Sequence, residues 1–149
     1  MRKDEKTKIY ELKKHLRRYK KQMLVIRRLE NKLANIDDKI YKIKTVSYSD
    51  EPKGGRPVTI TDLLSDKIEL GERINHLVQK ARQLRSETLS EIDMLDDPRY
   101  AEVMEQYYIE CKTFEDIADS TGYTLRHIMR LQSEALKSMS LKWHNDDIT

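Results

Sequence analysis

The chain has little that could build a disulfide scaffold, a sheet or a membrane span. Its one cysteine, Cys111, allows no disulfide and no cysteine-based metal site within a single chain, which fits a reducing cytosol. Four Gly and three Pro leave few places where a helix must stop. No apolar run approaches the ~20 residues needed to span a bilayer. The opening MRKDEKTKIYELKKH lacks the apolar stretch of a signal peptide. A cytoplasmic protein is expected. Charge, by contrast, is abundant: 37% of residues are charged and 38% hydrophobic. Because the apolar residues recur at fixed spacing, the charge reads as solvated helix faces and not as disorder.

The charge is unevenly placed. Met1 to Val46 carries 16 Lys/Arg against 6 Asp/Glu, a net +10, while Ile60 to Asp97 is −4 (5 against 9) and Pro98 to Thr149 is −3 (6 against 9). A basic N-terminal arm on an otherwise acidic molecule suggests an anionic partner, of which nucleic acid is the commonest.

The periodicity predicts an all-α fold. A first helix is expected over about Asp4 to Lys44, with a heptad seam at Ile9, Leu12, Leu16, Tyr19, Met23, Ile26, Leu29, Leu33, Ile36, Ile40 and Ile43. One four-residue step is missing between Ile26 and Leu29. Ser47 to Thr59 (SYSDEPKGGRPVT) reads as a loop. A second helix follows over about Thr61 to Leu95, with Thr61 as N-cap and a seam at Leu63, Leu70, Ile74, Leu77, Ala81, Leu84 and Thr88, interrupted by Lys67. Two long helices and one loop make an antiparallel coiled-coil hairpin over residues 1–95. Such a pair buries only a narrow stripe, so this hairpin is expected to be the association module of a homodimer or higher homo-oligomer. Asp97 as N-cap and Pro98 at the first helical position open a second domain, residues 96–149. It is expected to hold helices at Pro98–Glu110, Phe114–Ser120 and Leu125–Ser140.

Within that domain, TFEDIADSTGYTLRHIMRLQSEAL (Thr113 to Leu136) carries a steric pattern. Thr113 caps a helix, with Asp116 three residues on. Ile117 points to the core, and Ala118 is small where two helices cross. Gly122 turns the chain with a positive φ. Thr124 caps the next helix, whose inner face is Ile128, Leu131, Ala135 and Leu136. This order is that of a helix-turn-helix, which binds double-stranded DNA with its second helix in the major groove. The expected contacts are Thr124, Leu125, Arg126, His127, Met129, Arg130, Ser133 and Lys137. Arg126 and Arg130, four apart on one face, suit guanine O6 and N7, while Leu125 or Met129 suits a thymine methyl. Thr124, Ser133 and Lys137 suit phosphates. The tail is net negative, so further cations are needed. A dimer could supply them, as could the run Lys13, Lys14, Arg17, Arg18, Lys20 and Lys21. Alternatively, that run is a solvated face or pairs with Glu69, Glu72, Glu87 and Glu91.

No catalytic constellation emerges. His15, His76, His127 and His144 lack ligand spacing. Gly54-Gly55 is followed by no phosphate-loop Lys. No carboxylate stands isolated in apolar surroundings. Cys111 is expected to pack, as is Trp143. The expectation is a non-enzyme without cofactor or metal.

Leu95 to Met139 resembles the fourth conserved region of bacterial sigma factors. The residues that carry the resemblance are Tyr107-Tyr108, Thr113 to Ala118, Gly122-Tyr123-Thr124, Ile128, Leu131, Ala135-Leu136 and Met139. The resemblance implies promoter reading in the major groove and supports Leu125, Arg126, Met129 and Arg130 by position. The chain departs from sigma factors at Leu125 and Met129, where they often carry charge, and nothing in it resembles their other regions. Hairpin and tail together resemble the RinA/ArpU-type transcriptional regulators of Gram-positive prophages. That likeness implies activation of late phage genes together with RNA polymerase. A small terminase subunit recognising a packaging site, and a protein-interaction module binding polymerase, are the alternative readings.

Overall fold

The computed structural model describes residues 3–45 and 59–143. All regular structure in them is helical: α1 (Lys3–Leu16), α2 (Arg18–Thr45), α3 (Ile60–Asp93), α4 (Pro98–Tyr108), α5 (Phe114–Thr121) and α6 (Leu125–Lys142). The expected loop lies, except for Thr59, outside the described residues. No described helix is long and apolar enough to cross a membrane.

The heptad reading locates the buried stripes. All eleven seam positions from Ile9 to Ile43 are buried or half-buried, as are Leu63, Leu70, Ile74, Leu77, Ala81, Leu84 and Thr88. Three local expectations are corrected. The N-terminal helix is not continuous but breaks at Arg17. There the Arg18 Nε donates to the His15 carbonyl oxygen at 2.9 Å, so a side chain competes within the backbone ladder, a recognised cause of helix irregularity. The N-cap of α3 is Thr59 and not Thr61: the Thr59 hydroxyl accepts from Asp62 N at 3.2 Å. Helix α4 ends at Tyr108, short of Glu110.

The last of these changes the reading of Cys111. After Tyr108 the turns widen, Glu110 N reaching the Glu105 carbonyl (3.1 Å) and Lys112 N that of Gln106 (3.0 Å). Cys111 takes a left-handed φ of 57° between them. It is exposed and does not pack.

The chain divides into two compact units, one of Gln22–Lys80 and one of Met1–Lys21 with Ala81–Thr149. In the first, α2 and α3 run antiparallel: Gln22 Nε2 donates to the Leu77 carbonyl (3.4 Å) and Lys67 Nζ pairs with Asp37 (2.7 Å). Lys67, which breaks the apolar seam, is thus an exposed ion-pairing position. Ile26, Leu29, Ile40, Leu63 and Ile74 are buried in this unit.

The second unit extends beyond residues 96–149. Its core joins Leu12 and Leu16 of α1, Ile92 of α3, Met104 and Tyr108 of α4, and Ala135, Leu136 and Met139 of α6, closed by Trp143. Each fully buried leucine contributes about 1.5–3 kcal/mol, so α1 is part of this core. Polar contacts reinforce the packing of α1 and the start of α2 on α3: His15 Nε2 lies 2.7 Å from Glu91 Oε1, and Arg18 pairs with Glu87 at 3.3 Å. Of the acidic residues expected to meet the basic run, Glu87 does so through Arg18, while Glu91 meets the neighbouring His15. No ion pair joins that run to Glu69 or Glu72 among the described residues.

Candidate nucleic-acid interface

Local rules shape the helix-turn-helix. Asp97 caps α4, its carboxylate accepting from Arg99 N at 2.9 Å. The Arg99 side chain and backbone N–H both hold that carboxyl below its usual range. Thr113 caps α5 by accepting from Asp116 N at 3.1 Å. Gly122 ends α5 with φ 79°, donating to the Ala118 carbonyl at 2.9 Å. Thr124 caps α6 by accepting from His127 N at 3.1 Å.

Tertiary packing then orients α6. Ile128 and Leu131 are fully buried against Ile117 of α5 and Val103 of α4, with Tyr100, Tyr107, Phe114 and Ala118 around them. The buried Gln106 of α4 ties in α5, its Oε1 accepting from Ser120 Oγ at 2.8 Å and from Lys112 Nζ at 3.3 Å. Tyr107 stacks on Phe114 with ring centroids 4.6 Å apart and meets Tyr108 edge-on at 4.8 Å. At the core centre, burial pushes the Tyr108 phenol up to about 12.

With Ile128 and Leu131 turned inward, the outer face of α6 presents Leu125, Arg126, Met129, Arg130, Ser133 and Lys137, all exposed. Leu125 is 41% and Met129 52% exposed, high for large apolar residues. Arg126 has no partner among the described residues. Arg130 is held loosely, with Nη2 3.1 Å from His127 Nδ1 and Nε 3.9 Å from Glu134 Oε1. Glu134 also accepts from Tyr100 OH at 2.8 Å, which raises that phenol. His127 differs from its outward neighbours: it is half-buried and meets the Tyr123 ring edge-on at 4.8 Å. The Thr124 hydroxyl accepts within the cap, which leaves its own proton to donate outward.

The secondary cations separate into four groups. Lys13 lies with Lys6 and Tyr10 of α1 in a cleft shared with Gln132 and Ser133 of α6. Lys20 sits over the Tyr107 ring, 4.6 Å from its centroid, a cation–π contact. Arg18 is engaged by Glu87 and His15. Lys14, Arg17 and Lys21 are exposed. Lys6, Lys13 and Lys20, seven residues apart, thus mark the side of the basic arm that meets α4 and α6.

Sequence reasoning missed Lys6 as a neighbour of α6, and it named Tyr123 only within the sigma resemblance and not as a contact. Lys6 continues the seven-residue spacing of Lys13 and Lys20, a signal available in the chain. Tyr123, 39% exposed, follows the turn glycine and meets His127. Helix α5 carries Glu115, Asp116 and Asp119, all exposed, and no Lys or Arg. Its own surface is acidic, in contrast to the lysines of α1 and the arginines of α6.

Residues 97–140 match the family model for sigma-70, region 4. No curated protein and no solved structure matches the chain. The match covers α4, α5 and most of α6, so this part of the chain is a helix-turn-helix similar to region 4 of sigma-70.

Proposed function

We propose that this protein is a sequence-specific double-stranded DNA-binding regulator of transcription and not an enzyme. It acts in the bacterial cytoplasm at a promoter, with RNA polymerase. The observation that carries this reading is the outer face of α6. Two arginines, two exposed apolar side chains and two phosphate-directed polar groups stand on it, while Ile128 and Leu131 hold its inner face against α4 and α5. Base edges are read by such a face, and phosphates fix its register. Lys6 and Lys13 beside Gln132 and Ser133 add cations next to it, and Lys14, Arg17 and Lys21 extend the basic surface.

The likeness of hairpin and tail to RinA/ArpU-type prophage regulators supports activation of late phage genes as the setting. Homodimerisation through the unit Gln22–Lys80 is part of the proposal. That unit leaves Tyr41, Leu64 and Ile68 exposed, apolar surface that a second copy would cover.

The test is a gel-shift titration with DNA from upstream of the protein's own gene and its neighbours, at several salt concentrations, beside the Arg126→Ala/Arg130→Ala double variant. Wild type should select one fragment, and the variant should lose that preference. Equal binding of every fragment by both proteins, or binding by neither, would remove α6 as the reading element.

A further inference from the structure

Arg126 and Arg130 stand on one face of α6 in different surroundings. Arg126 has no partner among the described residues, whereas Arg130 is bracketed. Its Nη2 lies 3.1 Å from His127 Nδ1, and its Nε lies 3.9 Å from Glu134 Oε1. A guanidinium has only donors, so His127 Nδ1 accepts. Each contact is weak alone, because exposed ion pairs contribute little. The difference lies in how the far side of the bracket is fixed. The other oxygen of Glu134, Oε2, accepts from Tyr100 OH of α4 at 2.8 Å. Tyr100 is half-buried and packs against both apolar clusters that hold α6. His127 is half-buried as well and edge-on to Tyr123. The core thus reaches Arg130 through a single carboxylate that belongs to α6 and is anchored on α4.

We infer that Glu134 is a positioning residue for DNA recognition, with Tyr100 as its anchor: together they hold the Arg130 guanidinium in one direction before DNA arrives. Arginine carries much rotamer freedom, and ordering it on binding costs affinity. Preorganisation lowers that cost for the one geometry it fits, which favours a selected duplex over all others. The carboxylate acts in a second way. Its negative charge beside the guanidinium opposes the approach of a phosphate, so Arg130 is turned from backbone contact towards discrimination. Arg126, unheld, carries no such bias. This inference rests on the DNA-binding reading of α6 above.

The probe is a duplex that the full-length protein enriches from a random-sequence library, set against a scrambled duplex of the same composition. The quantity read is the ratio of the two affinities. Tyr100→Phe keeps the ring in the core and removes only the hydroxyl. It should lower the ratio about threefold when Arg130 is present, and leave it unchanged in the Arg130→Ala background. A packing defect would instead lower the ratio equally in both. Glu134→Gln keeps an acceptor for Tyr100 and loses the charge; it should bind the scrambled duplex about twofold more tightly. Scrambled-duplex binding no tighter than wild type overturns the charge effect. An unchanged ratio in Tyr100→Phe, or an equal fall with and without Arg130, overturns the positioning role while the DNA-binding reading stands. Enrichment of no duplex by wild type overturns that reading itself.

Discussion

Gly122 holds a φ of 79°, with open space where a Cβ would stand. The cost of a side chain there is conformational and not steric. Gly122→Ala should destabilise the protein by about 1–2 kcal/mol, read as a lowered midpoint in urea unfolding with an unchanged slope. Tyr108 gives a pH-dependent counterpart. Its folded pKa, about 12, lies above the ordinary value of 10.0, chiefly through burial. A raised pKa means stability that is complete below pH 10 and lost as pH rises toward 12. Alkaline unfolding should therefore steepen across that window, and Tyr108→Phe should flatten it; an unchanged alkaline limb in the variant would contradict the burial. Cys111 at φ 57° shows the limit of residue-level reading. A cysteine at the end of a helical pattern suggests packing, and nothing local announces that the widened turn after Tyr108 exposes it.

Among the helices, α1 and α6 carry the cations on which the proposed DNA contact depends. The recognition helix alone carries few cations, and α5 is acidic. Lys6 and Lys13 lie in the cleft that α1 shares with Gln132 and Ser133. If phosphates run along that cleft, Lys6→Gln/Lys13→Gln should weaken binding to selected and unselected DNA alike. It should also lower the slope of log affinity against log salt by up to about 2, roughly one per lost phosphate contact. An unchanged slope would return these lysines to the solvated face. The seven-residue spacing of Lys6, Lys13 and Lys20 was legible in the chain. Their direction was not, because a heptad does not say which neighbour its flanks will meet.

For the whole molecule, the compact unit that contains the helix-turn-helix also contains the N-terminus of the chain. Leu12 and Leu16 are fully buried among Ile92, Met104, Tyr108, Leu136 and Met139. Losing both would uncover much of that core, at a cost of about 2–5 kcal/mol for each large aliphatic side chain. A fragment starting at Asp96 should melt without a cooperative transition, whereas the full chain melts cooperatively, both followed by circular dichroism. A cooperative melt of the fragment would make residues 96–149 self-sufficient.

The sequence by itself determined the helical class, the apolar seams, the caps at Asp97, Thr113 and Thr124, the turn at Gly122 and the inward side of α6. Each depends on residues within about a turn or two of one another: a 3.5-residue repeat, a hydroxyl three residues before an amide, a glycine where φ must be positive. Tertiary structure alone decided that α1 completes the core of the C-terminal helices, that the helix breaks at Arg17, that Lys67 pairs with Asp37, and that Arg18 is spent on Glu87 while Lys6 and Lys13 stand beside α6. Those outcomes join residues tens of positions apart, and side-chain competition for space and charge selects among partners that the periodicity leaves equivalent.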